Sequence, residues 1–118
     1  MNLNHVHLGT KNLDNSVGFY QNLFGFRKKF DHPPGIFLEN EFGFLLAIDP
    51  VEELPNFPSW YHLGFCVSSE QAALAMYQKC KSANVKIVRE LMHQENEFVS
   101  FFILDPDGYK LEVSWHNE

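Results

Sequence analysis

Residues 61–67 read YHLGFCV, and near the start of the chain residues 3–10 read LNHVHLGT. In the first stretch His62, Gly64 and Cys66 alternate with Leu63, Phe65 and Val67. In the second, His5 and His7 alternate with Val6 and Leu8. Apolar residues at every second position define a strand with two unlike faces. The apolar set is expected on the core and the histidines on the opposite face. Each strand then runs into a helical pattern. Asn12-Leu13-Asp14-Asn15 carries helix-start residues, Val17, Tyr20, Leu23 and Phe24 follow at helical spacing, and Gly25 ends the helix. In the other half, Ser68 with Gln71 resembles a capping box, Ala73, Met76, Tyr77 and Cys80 share one helical face, and Ala83-Asn84 closes the helix.

Three strands follow each helix. In the first half they are expected over Phe26 to Phe30, Ile36 to Glu39 and Phe42 to Ile48. In the second they are expected over Val85 to Arg89, Phe98 to Leu104 and Tyr109 to Trp115. Pro33-Pro34-Gly35, Glu39-Asn40-Glu41 and Asp105-Pro106-Asp107-Gly108 supply turns between them. The order strand, helix, three strands thus occurs twice, with His5 matching His62 and Gly43 matching Gly108, as duplication of one supersecondary unit would produce. The halves span about residues 1–49 and 60–118 of one domain, and the proline-rich segment Asp49 to Ser59 reads as the linker. The fold class expected is α+β, built from two βαβββ modules. One helix covers only one face of each sheet, so two curved sheets would enclose a cup.

With 118 residues, 45% of them hydrophobic and twelve of them Phe, the chain has ample material for a core. A net charge of −6 disfavours a phosphate backbone as partner, so nucleic acid is not expected. Met1 to Gly9 hold no basic segment followed by an apolar run, and the longest apolar stretch, near Phe44 to Ile48, is too short to span a bilayer. Cys66 and Cys80 have no neighbouring Cys or His motif, which suits free thiols in a reducing cytoplasm. A cytoplasmic protein without membrane partners is expected.

Period two also groups the polar residues. Lys110, Glu112 and Ser114 share one face of the last strand, opposite Leu111, Val113 and Trp115. The polar faces of the first, fifth and last strands therefore gather His5, His62 and Glu112. Two imidazoles and a carboxylate suit one divalent ion of borderline softness: zinc, manganese, iron, cobalt or nickel. Three protein ligands leave positions open for water or substrate, the hallmark of a Lewis-acid site. His7, on the face of His5, is a candidate acid–base group, a hydrogen-bond partner of a ligand, or a pocket wall. Cys66 is a candidate thiol or a small hydrophobe. Lys110 either holds an anionic substrate or faces solvent. His32, His93 and His116 carry no specific signal, and Trp60 and Tyr61 read first as packing residues.

The run His5-Val6-His7-Leu8, Asn12-Leu13-Asp14, Ser16-Val17, Phe19-Tyr20 and Leu23-Phe24-Gly25-Phe26 resembles the opening of the vicinal oxygen chelate superfamily. That group includes glyoxalases, bleomycin-resistance proteins, fosfomycin-modifying thiol transferases and extradiol dioxygenases. WYHLGFCV at 60–67 resembles its fifth strand, and FFILDPDGYKLEVSW at 101–115 its closing hairpin. The resemblance covers nearly the whole chain. It implies a glyoxalase-like cup, a homodimer, and a metal held at His5, His62 and Glu112. It also implies an enzyme of lyase, transferase or dioxygenase type that acts on a small oxygen-bearing substrate by stabilising an oxyanion. Glu112 and, from its place on the face of His5, His7 are the candidate catalytic residues.

Aligning Gly43 with Gly108 sets Ala47 opposite Glu112, and alanine cannot supply the fourth ligand that glyoxalase I carries. The His-His-Glu set is closer to the thiol transferases and extradiol dioxygenases. At the position two past the first ligand, where glutathione-dependent fosfomycin enzymes have Thr, this chain has His7. The alternative function is a non-catalytic module that binds and sequesters a drug or metabolite. A structural metal in an interaction protein is the third reading.

Overall fold

The computed structural model describes residues 1–118. It contains two compact units, Met1–Asn56 and Phe57–Glu118. The first holds β1 (His5–Thr10), α1 (Leu13–Phe24), β2 (Arg27–His32), β3 (Gly35–Glu39) and β4 (Leu45–Pro50), and its sheet runs β1-β4-β3-β2. The second holds β5 (Leu63–Cys66), α2 (Glu70–Ser82), β6 (Ile87–Gln94), β7 (Phe98–Leu104) and β8 (Lys110–His116), and its sheet runs β5-β8-β7-β6. The βαβββ order read from the sequence is thus the order of both units. In each, the first strand pairs parallel with the last, and the remaining pairs are antiparallel. A parallel pair needs a long crossover, which the helix and two strands provide.

The first unit is built around Tyr20 of α1, Leu8 of β1, Leu38 of β3, and Leu46 and Ile48 of β4, all nearly inaccessible to water. Asn12 caps α1 by accepting from the Asn15 N–H, and Gly25 closes it at φ 70°, a left-handed conformation that glycine adopts without a Cβ clash. The second unit packs Ala73, Tyr77 and Cys80 of α2 near the apolar faces of β7 and β8, where Val99, Phe101, Ile103, Leu111 and Val113 are fully buried. Burial alternates along β8 as its sequence alternates, so Leu111 and Val113 face the helix side and Lys110, Glu112 and Ser114 the other. No helix is long and apolar enough to cross a membrane.

Several boundaries differ from the sequence reading. β5 begins at Leu63, so His62 stands just before the strand, β2 runs on to His32, and β6 runs to Gln94 rather than ending at Arg89. Ser69, not Ser68, caps α2, because its hydroxyl accepts from the Ala72 N–H at 3.0 Å. Asp49 and Pro50 are strand rather than linker: β4 continues beside β1, setting Gly9 against Asp49 and Thr10 against Pro50. Gly43 and Gly108 lie two residues before their strands, in turns that need positive φ (81° and 91°). Asn40 accepts from the N–H groups of Phe42 and Phe44 in the first of these turns, and Asp105 from those of Asp107 and Tyr109 in the second. A short polar side chain that folds back on the backbone is the usual way to fix such a turn.

Glu70, the first residue of α2, ties the helix to the β6–β7 hairpin. Its Oε2 accepts from His93 Nε2 at 3.0 Å and from the Asn96 N–H at 2.7 Å. The His93 hydrogen bond, and after it the Asn96 N–H, hold the Glu70 carboxyl below its ordinary value of 4.5. A carboxylate held low contributes stability that is complete above the unfolded-state value and fades as pH falls through the folded one. Glu70→Gln should therefore lower Tm at neutral pH by a margin that shrinks as the pH drops below 4.5. Paired melting curves across that range check this, and a margin independent of pH would contradict it.

Candidate functional site

The register of the parallel pairs identifies equivalent positions in the two units. Gly64 faces Glu112 across β5 and β8, and His7 faces Ala47 across β1 and β4. His62, two residues before Gly64, therefore matches His5, two residues before His7, and Glu112 matches Ala47.

In the second unit His62 and Glu112 meet. His62 Nε2 lies 3.3 Å from Glu112 Oε1, and both side chains are partly shielded from water. His62 Nδ1 lies 2.9 Å from the Trp60 carbonyl oxygen, which can only accept. That contact places a proton on Nδ1, so in the neutral ring the lone pair is on Nε2. Two electron-rich atoms then face each other, an arrangement that calls for a cation or a proton between them. The other carboxylate oxygen, Oε2, accepts from Ser100 Oγ at 2.6 Å. The edge of His62 packs on Phe102, with ring centroids 4.8 Å apart.

In the first unit His5 is exposed at the start of β1, with Nδ1 2.8 Å from Asn4 Oδ1. His7 Nε2 lies 2.5 Å from Asp49 Oδ2. The structure thus brings together two of the three expected ligands, His62 and Glu112, and pairs His7 with a carboxylate. No three His, Cys, Asp or Glu side chains gather within reach of one ion. Sequence reasoning missed Asp49, which sits on β4 beside β1 where the linker was expected. It also missed Ser100 and Arg89, which only the pairing of β6, β7 and β8 brings to Glu112.

The remaining candidates separate clearly. Lys110 gives its ammonium to the Ser59 carbonyl at 2.7 Å and lies 5.0 Å from the Phe102 centroid. Cys66 is exposed, whereas Cys80 is buried, and burial pushes its thiol up to about 11, which keeps it protonated and unreactive. β8 does extend to His116, but that ring stacks on Phe98, four strand residues and about 13 Å from Glu112.

A family model described as Glyoxalase/Bleomycin resistance protein/Dioxygenase superfamily matches residues 2–113. The chain belongs to this superfamily. Within it, the chain is 30% identical over 114 residues to the glutathione transferase FosA of Serratia marcescens, covering 94% of this chain and 78% of that protein. It is 26% identical over 113 residues to the metallothiol transferase FosB of Lysinibacillus sphaericus, covering 93% and 79%. Its fold matches that of the fosfomycin resistance protein FosX of Listeria monocytogenes with a TM-score of 0.82 at 21% identity, over 97% of this chain and 92% of that one.

The donor set fits the divalent ion that the superfamily assignment leads one to expect. His62 turns Nε2 toward Glu112, its ring fixed by a carbonyl behind it, and Glu112 presents one oxygen while the other is held. That division between a coordinating atom and a supported atom is how metal-binding imidazoles and carboxylates are usually built.

Proposed function

We propose that the protein is a metal-dependent transferase that adds a thiol to a small, oxygen-bearing electrophile, and that His5, His62 and Glu112 hold the metal. The observation that carries this reading is the approach of His62 Nε2 to Glu112 Oε1 with the imidazole proton committed to Trp60. His5 joins the set as the register equivalent of His62. Ala47 at the counterpart of Glu112 supports a three-ligand site, which favours thiol transfer over glyoxalase I chemistry. The names of FosA and FosB point the same way. The protein is proposed to act as a homodimer.

A bound divalent ion would supply Lewis acidity toward a substrate oxygen. The chain's own residues do the rest. Attack of a thiolate sulfur on an epoxide carbon forms a C–S bond, breaks the C–O bond and leaves an alkoxide that must take a proton. His7 is the group proposed to deliver it, with Asp49 orienting its imidazole through Nε2. Glu112 holds its position throughout, fixed by the Ser100 hydroxyl.

The test uses fosfomycin as electrophile and glutathione or L-cysteine as thiol, with protein loaded in turn with zinc, manganese, nickel, cobalt or iron. Mass spectrometry should detect the thiol adduct only with metal present. His7→Ala should slow its formation by about 10²–10⁴-fold, the usual contribution of a general acid. No adduct with any metal and either thiol would reject the reading.

A further inference from the structure

The two oxygens of Glu112 have different neighbours, and the difference originates on β6. Arg89 Nη2 donates to Ser100 Oγ at 2.6 Å, and Ser100 Oγ donates to Glu112 Oε2 at 2.6 Å. Strand pairing sets this up: Arg89 faces Phe102, and Phe102 faces Glu112. Ser100 shares the face of Phe102, two residues earlier on β7, so its hydroxyl lies between guanidinium and carboxylate. Ser100 is only 6% exposed. The guanidinium stacks on Phe102 with Cζ 4.5 Å from the ring centroid, and its Nη1 is buried without a hydrogen-bond partner. Leaving a buried donor unsatisfied is costly. A packing role alone would be met more cheaply by Leu or Met.

We infer that Arg89 and Ser100 are positioning residues that commit one oxygen of Glu112 and leave the other for a divalent ion. A serine hydroxyl both donates and accepts, and rotates freely. Arg89 occupies its acceptor side, so the hydroxyl proton is directed at Oε2. Oε2 is then spoken for, Oε1 stays aimed at His62, and Glu112 serves as a one-oxygen ligand. This inference rests on Glu112 being a metal ligand, as proposed above.

Zinc and, separately, manganese affinity would be measured by competition with a chromogenic chelator on wild type, Ser100→Ala, Ser100→Thr, Arg89→Met and the double variant Ser100→Ala/Arg89→Met. The melting temperature of each metal-free protein would be recorded beside it. Ser100→Ala and Arg89→Met should each weaken binding by about 10–100-fold, as loss of a ligand's outer support does. The double variant should lose no more than either single variant, because both break one relay. Ser100→Thr, which keeps the hydroxyl, should bind nearly as wild type. Affinity losses should not follow the metal-free melting temperatures. Unchanged affinity in both single variants, or losses that add in the double, would overturn the inference while leaving the metal site standing. A wild type that binds neither ion would overturn the proposed function and this inference with it.

Discussion

Glu112→Gln should reduce divalent-metal affinity by more than about 100-fold, beyond the range typical of a ligand's outer partners. The amide is nearly isosteric, and its oxygen still accepts from Ser100, so the change removes the charge while sparing the packing. His62→Ala should lose metal comparably, because it removes the nitrogen whose lone pair the Trp60 carbonyl sets free. His116→Ala is the matched control. It lies on the same face of β8, but its ring stacks on Phe98 and should contribute nothing to binding. Metal content by elemental mass spectrometry after dialysis against each ion measures all three. A Glu112→Gln protein that retains wild-type metal would refute the assignment of Glu112 as a ligand.

Phe101→Ala should cost about 3–5 kcal/mol of folding stability, the range for emptying a buried aromatic site. Phe101 is fully buried on β7, edge-on to Tyr77 of α2 with centroids 5.1 Å apart. Small domains have only about 5–15 kcal/mol to lose, so the variant should sit close to its unfolding midpoint. Phe42, 83% exposed in the β3–β4 turn, should tolerate alanine with a change within about 0.5 kcal/mol. Urea titration of both variants checks the contrast. Equal midpoints would mean that the helix–sheet core of the second unit is not where stability resides.

Much of the fold was legible because its strands are two-faced. His5 and His7 against Val6 and Leu8, or Glu112 between Leu111 and Val113, separate polar from apolar faces without any tertiary information. The duplication was legible for the same reason, and the observed registers place His5 and His62 at equivalent points. Helix ends were less so. Ser68 and Ser69 are adjacent and chemically alike, and only the backbone geometry decides which hydroxyl reaches an N–H. Asp49 was hidden by its neighbours: three prolines and two glutamates follow it, and composition alone reads that stretch as linker. Its place beside Gly9 is a fact of parallel pairing, which leaves no local mark on sequence. Arg89 and Ser100 were invisible for the same reason, since their meeting with Glu112 depends on the register of three strands, with bulges in β6 that no periodicity announces. The third expected ligand, His5, remains the part of the site that rests on equivalence and resemblance.

The parallel pairing of β5 with β8 has a consequence for the order in which the protein comes into being. His62 is made early in its unit and Glu112 nearly last, and no strand placed between them in sequence supplies a substitute carboxylate on that face. His62 must wait for β8 to be made before it meets its partner. Any ion that needs both residues is therefore acquired only after synthesis of the unit is complete. Chains cut short before residue 110 would be left with an imidazole oriented by Trp60 and nothing opposite it.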